Sequence, residues 1–228
     1  MEYILKRSNR KTISIRVTKN ATLEVRAPKR MPIRSIEHFL ESKDEWIQEH
    51  IDIALKKNNA RDAFSLDYWG TIHIRGMLCE IVPTNDKFPF GPIKENDSYR
   101  IFVPDNMPPE QILEKVRKLL IEYAKAFIPT RTSELAKLLE VSPSSVRVGK
   151  ANTRWGSCSS QGRINFSWKI IMCDDAVIDY VIIHELCHLL QMNHSQKFWN
   201  EVHRYSPNYK EHRRMLKKFS NTLDSEDW

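Results

Sequence analysis

The stretch HELCHLLQMNH, residues 184–194, concentrates most of the chemistry in this chain. On a helix, side chains four apart lie roughly 40° apart around the axis. His184 and His188 can therefore aim their imidazoles at one ion. Glu185 is offset by about 100° from His184, a poor position for a ligand but a good one for reaching a water beside the ion. Such an HExxH pattern reads as two zinc ligands with a general base. A catalytic zinc needs a third protein ligand and an open position.

His194 supplies the third ligand only if the helix stops. Ten helical residues would carry it about 15 Å along the axis from His184. We therefore expect the helix to end near Leu190 or Gln191, with Asn193 in the left-handed conformation and Ser195 capping a new helix, QKFWNEVHRY. Glu201 is the reserve ligand. The competing reading is a buried helix whose histidines only hydrogen-bond, since AVIDYVIIHELCHLLQ is apolar nearly all round. Two imidazoles and a carboxylate buried side by side are costly without a partner, and a cation is the simplest one. In this reading His184, His188 and His194 hold zinc, and Glu185 relays the proton of an attacking water.

Other candidates surround this centre. NTRWGSCSSQGRINFSW brings Arg154, Trp155, Cys158 and Asn165 near one hairpin. Its edge can pair an extended peptide, and Arg154 or Asn165 can donate to an oxyanion. Tyr209 is a further donor candidate. An ordinary hairpin explains the first four equally simply, and helix packing is the plainer reading of Tyr209.

The elements that must carry this site follow from periodicity. TISIRVTKNATLEVRA alternates apolar and polar positions on either side of a turn at Lys19-Asn20, which predicts a hairpin with one apolar face. From Pro32 to about Lys57 a helical stripe runs through Ile36, Phe39, Leu40, Trp46, Ile47, Ile51 and Ala54. WGTIHIRGMLCEIVP and YRIFVP read as strands. Residues 1–104 thus form a basic antiparallel sheet with one helix, and residues 105–228 a mainly helical metal-binding region. There PEQILEKVRKLLIEYAKAF is an amphipathic helix that Pro129 should break or kink. Short strands and helices over 175–191, 196–204 and 209–223 follow. The fold class is α+β.

Charge is uneven. The net charge is +7, yet residues 1–34 hold ten Lys/Arg against two Glu, and the remainder is near neutral. Arg7, Arg10, Lys11, Arg16 and Arg26 could meet nucleic acid or another polyanion. The plainer reading is the solvated face of a small sheet. No export signal or membrane span is visible, and four scattered cysteines without a CxxC pair suit a reducing, cytoplasmic setting.

Over most of its length the chain resembles the YgjP-like predicted metallopeptidases, related to the WLM and SprT-type HExxH proteins. The resemblance rests on TLEVRAPKRMP, TRWGSC, GRINFSW, IDYVIIHELCHL, NHSQKFW and SPNYKEHRRML. It implies an α+β zincin-type fold, zinc on His184, His188 and His194, and Glu185 as base. Gln191 stands where metzincins carry glycine, although the spacing to His194 agrees. The expected activity is zinc-dependent peptide or protein hydrolysis. Two alternatives stay open, hydrolysis of an anionic non-peptide substrate such as a nucleotide phosphoanhydride, and a nucleic-acid-associated module with a structural metal.

Overall fold

The computed structural model describes residues 2–18, 20–62, 65–86, 91–151 and 154–223. Lys19, half of the expected hairpin turn, lies outside the described residues. The described residues divide into two compact units, one drawn from 1–64 and 222–227 and the other from 65–221.

In the first unit the expected hairpin is present. β2 (Ser14–Val17) runs antiparallel to β3 (Leu23–Pro28), with Ile15 opposite Val25. A strand that alternation did not reveal, β1 (Ile4–Ser8), adds in parallel to the other side of β3. Its residues are mostly exposed, which hides it from a hydrophobic pattern. The apolar face (Leu23, Val25, Ala27) packs with Ile36, Leu40 and Ile47. These last three come from two helices rather than one, α1 (Ile33–Glu41) and α2 (Asp44–Asp62). The chain bends at Ser42, whose hydroxyl donates to the Phe39 carbonyl. Trp46, placed by the stripe in the core, is instead 38% exposed.

The second unit contains the other sequence strands, including those expected with the N-terminal region. β4 (Thr71–Ile74), β5 (Met77–Thr84), β6 (Ile93–Glu95) and β7 (Ser98–Pro104) form a sheet in the order β4-β5-β7-β6. β5 and β7 are parallel, so the antiparallel expectation fails for this pair as for β1 and β3. Alternation fixes which side chains are buried but not strand direction, which depends on how each connection crosses. A second sheet, β8 (Ser145–Gly149), β9 (Gly156–Cys158) and β10 (Arg163–Ser167), has the order β8-β10-β9. The turn at Ser160–Gly162 joins β9 to β10 as expected, with the Gly162 N–H bonded to the Ser159 carbonyl.

α3 runs unbroken from Pro109 to Leu138, with Pro129 inside it. The predicted break is absent because one buried stripe continues past the proline, through Ala124, Ile128, Thr132, Leu135 and Ala136, with the Thr132 hydroxyl donating to the Ile128 carbonyl. Proline costs a helix about 3 kcal/mol, and burying several such side chains offsets that. A short 3₁₀ helix (Trp168–Met172) leads to α4 (Asp175–Cys187), followed by α5 (Gln196–Tyr205) and α6 (Tyr209–Leu223). Among the described residues no helix is long and apolar enough to cross a membrane.

Two arginine forks seat α4. Arg75, in the β4–β5 turn, grips both carboxylate oxygens of Asp175 at 2.7 Å each. Arg131 of α3 grips Asp179, one turn further along, at 2.8 and 2.7 Å. Paired, planar contacts of this kind fix orientation as well as distance. Gly76 permits the first fork. It has φ +77°, and a Cβ there would lie 2.5 Å from the Asp174 carboxylate.

Candidate metal centre

α4 is buried on nearly every side, and its last turn carries His184, Glu185 and His188. The regular helix ends at Cys187, a little before the expected stop, and His188 keeps helical angles as its cap. A final bond from the Gln191 N–H to the Cys187 carbonyl closes the turn at 2.9 Å. Asn193 is not left-handed, since it is absent from the positive-φ residues. Its side-chain oxygen instead accepts from the Ser195 N–H at 3.2 Å, which turns the chain without that strain. Ser195 does precede α5, though its hydroxyl makes no capping bond.

This turn brings His194 back. Its Nε2 lies 3.2 Å from Nε2 of His184, and one ring nitrogen from each of His184, His188 and His194 falls within 4.8 Å of the others. Phe198 of α5 is fully buried beneath all three rings, with centroids 4.6 to 4.9 Å away. Sequence spacing places Phe198 on the helix QKFWNEVHRY but gives it no role at the histidines.

The residues fit a metal. Two ligand nitrogens at the corners of a zinc tetrahedron, with Zn–N near 2.0–2.1 Å, stand about 3.3 Å apart. Burial, then the neighbouring His188, His194 and Arg213, push His184 down to about 3, so its ring is neutral. Burial also lowers His188. The Nδ1 of His188 donates to the Gln191 carbonyl at 3.3 Å, which leaves its Nε2 lone pair free. Nδ1 of His184 is buried without a hydrogen-bond partner.

Glu185 sits beside this cluster, 6% exposed. Burial pushes its carboxyl up to about 7, against the opposing pull of Arg154. The carboxylate rests on β9. A Cβ added to Gly156 would lie 2.6 Å from Glu185 Oε1 and 2.7 Å from its Cγ. A bare backbone is therefore required at Gly156, a close approach that no local spacing signals.

The remaining candidates separate. Gly156 pairs with Phe166 and Cys158 with Ile164, so these four share the face of the sheet that meets Glu185. Asn165 pairs with Ser157 on the opposite face and does not join the site. Arg154 is exposed, two residues before Gly156. Trp155 donates to Ser220 of α6 at 3.0 Å, an anchoring role. Tyr209 stacks on Trp199, whose ring lies 5.7 Å from His194 and 5.8 Å from His184. Glu201, the reserve ligand, is outside the histidine cluster and lines a separate cavity with Leu190 and Arg204. Periodicity also missed Tyr180, a buried ring one helical turn before His184 and 6.0 Å from it.

In the first unit the basic residues are partly engaged. Arg26 and Lys6 pair with Glu24, and Arg7 donates to the carbonyls of Pro28, Lys29 and Met31. Arg10 is half-buried, whereas Lys11 and Arg16 are exposed.

The model of the YgjP-like metallopeptidase domain matches residues 11–219. The chain belongs to this family. Membership makes it a metal-dependent hydrolase of the peptidase class, and it agrees with the resemblance carried by the sequence blocks. Among solved structures the chain is similar to the metallopeptidase zymogen abylysin of Pyrococcus abyssi. That similarity is 24% identical with a TM-score of 0.37, over 40% of this chain and 94% of that one. The zymogen jannalysin of Methanocaldococcus jannaschii gives 22% and 0.37, over 40% and 96%. No curated protein matches.

Proposed function

We infer that the chain is a zincin-type zinc peptidase whose ion is held by His184, His188 and His194, with Glu185 as the proton relay. The observation that carries this reading is the convergence of three ring nitrogens within 4.8 Å beside a buried carboxyl. Three neutral imidazoles suit zinc better than calcium or magnesium, which favour oxygen ligands. Zinc bound there acts as a Lewis acid, polarising the scissile carbonyl and acidifying the attacking water.

Glu185 receives the proton of that water on a carboxylate oxygen and returns it to the leaving amine. A carboxyl at about 7 changes hands with a proton readily near neutral pH. Arg154 lies close enough to oppose the burial effect on Glu185, and it offers a cation to charge that develops during reaction. Among the described residues β9 pairs only with β10, so its other edge is open to the backbone of an extended peptide. Tyr209 and Trp199 form an aromatic wall on the histidine side. Four free cysteines, three of them buried, support a cytoplasmic setting.

Zinc-loaded protein is expected to cleave denatured casein and to stop with chelator. Glu185→Gln should keep its zinc and lose at least about 10³ in kcat/KM, while His188→Ala loses both metal and activity. Undiminished turnover by Glu185→Gln would falsify the proton relay. Turnover of nucleoside triphosphates with none of casein would replace the peptidase reading with the phosphoanhydride one.

A further inference from the structure

β2 is an edge strand of the first unit's sheet. The Thr18 N–H bonds the Thr22 carbonyl at 2.9 Å, and the register pairs Arg16 with Glu24 and Ser14 with Arg26. In an antiparallel ladder, bonded and non-bonded pairs alternate. Ile15 and Val17 occupy the non-bonded positions, so their N–H and C=O groups point away from β3 to the open edge. All four residues from Ile15 to Thr18 border one groove of about 400 Å³. Successive strand side chains point to opposite faces, so only a groove that follows the strand's edge touches all four.

The facing wall is one side of α2. Trp46, His50, Ile53 and Lys57 recur there at helical spacing. Trp46 and Ile53 are large apolar groups yet 38% and 45% exposed. The Trp46 ring is held in place rather than free. It stacks on His50 at 3.9 Å, and His50 Nδ1 donates to the Trp46 carbonyl at 2.8 Å. Arg16 and Lys57 border the groove with positive charge, and among the described residues no Asp or Glu lines it.

We propose that this groove binds an extended, acidic peptide segment that adds to β2 as a further strand. The Ile15 and Val17 backbone groups provide the ladder, as in other cases of strand addition. Trp46 and Ile53 receive the alternate apolar side chains, and Arg16 and Lys57 attract the acidic ones. Four strand residues span about 13 Å, enough for a segment of four or five residues. A phosphate backbone fits less well. It would leave the apolar wall of Trp46 and Ile53 uncovered, and it has no donor for the outward C=O groups of Ile15 and Val17. The proposal is independent of the peptidase reading, because it concerns binding to a different unit.

Fluorescence anisotropy on the full chain carrying Glu185→Gln tests it, since bound peptide is then not cut. The probes are labelled peptides of about eight residues that alternate valine with glutamate, glutamine or lysine. The glutamate peptide should bind at least about fivefold tighter than the glutamine one, and the lysine one weakest. Trp46→Ala and Ile15→Pro should each weaken it about tenfold or more. Arg16→Gln should erase most of the preference for charge. Hydrogen exchange at the Ile15 and Val17 amides should slow when the peptide is added. If Ile15→Pro fails to fold, Trp46→Ala and the exchange data decide. Equal binding of all three peptides, no binding of the glutamate peptide, or indifference to Trp46→Ala overturns the proposal. So does a DNA duplex that displaces the peptide and binds Ile15→Pro unchanged, which would assign the surface to nucleic acid.

Discussion

Helices α2 and α4 both lack a clear apolar face, for opposite reasons. α4 is apolar nearly all round because protein surrounds it, and of its 13 residues nine are buried. α2 scatters its large apolar residues (Trp46, Ile47, Ile51, Ile53, Leu55) round an axis that solvent mostly covers, with Ile47 alone buried among its described side chains. The difference separates two ways of using a helix. Burial makes α4 a rigid carrier that holds neutral imidazoles and raises the carboxyl of Glu185. Exposure leaves α2 as a surface, where Trp46 and Ile53 are available to a partner.

The largest effects should fall on α4. Ile182, fully buried, should cost about 2–5 kcal/mol as alanine, whereas Ile53→Ala should stay within about 0.5 kcal/mol. Urea denaturation of the two variants measures this directly, and comparable losses would erase the contrast between the helices. Gly156→Ala should come next. It forces Glu185 aside while leaving the histidines alone, so kcat/KM on casein should fall about 10²-fold at unchanged zinc content. Lost zinc would mean that Gly156 supports the ligands rather than the base.

The smallest effect concerns the first unit. Hydrogen bonds from Lys6 and then Arg26 hold the Glu24 carboxyl below the usual range. A lowered folded value stabilises fully above the unfolded value of about 4.3 and is lost as pH falls through the folded one. Exchange at Val25 and Ala27 should therefore be slower in wild type than in Glu24→Gln at neutral pH, and the gap should close in acid. A gap independent of pH would remove charge from the explanation.

The sequence made the convergence of His184, His188 and His194 legible because HExxH spacing is local geometry, and the return of His194 was a simple demand of helical rise. It placed the stop within a few residues but mistook the device, since both a left-handed residue and an Asx turn suit Asn193. Pro129 misled because a proline's local cost is visible in sequence and the packing that offsets it is not. Strand direction, the seating of Glu185 on Gly156, and the placing of Asn165 on the far face all depend on pairings across the sheet. Phe198 could have been suspected from its position four residues after His194, in the first turn of the helix that follows. Trp46 fitted the helical stripe, yet the bend at Ser42 rotated it out.

Arg75 bears on the order in which the molecule assembles. Its carboxylate partner lies 100 residues downstream, its N–H bonds the Ile171 carbonyl, and its guanidinium lies 4.1 Å over the Phe127 ring. During synthesis, β4 and β5 emerge long before Asp175 exists, and contacts over such separations form late because long loops close slowly. Phe127 is made before Asp175, so the Arg75 guanidinium can rest on that ring first and gain its carboxylate only when α4 arrives. The seating of α4 thus depends on a turn made 100 residues earlier, and the Arg75–Asp175 fork is among the last long-range contacts to close.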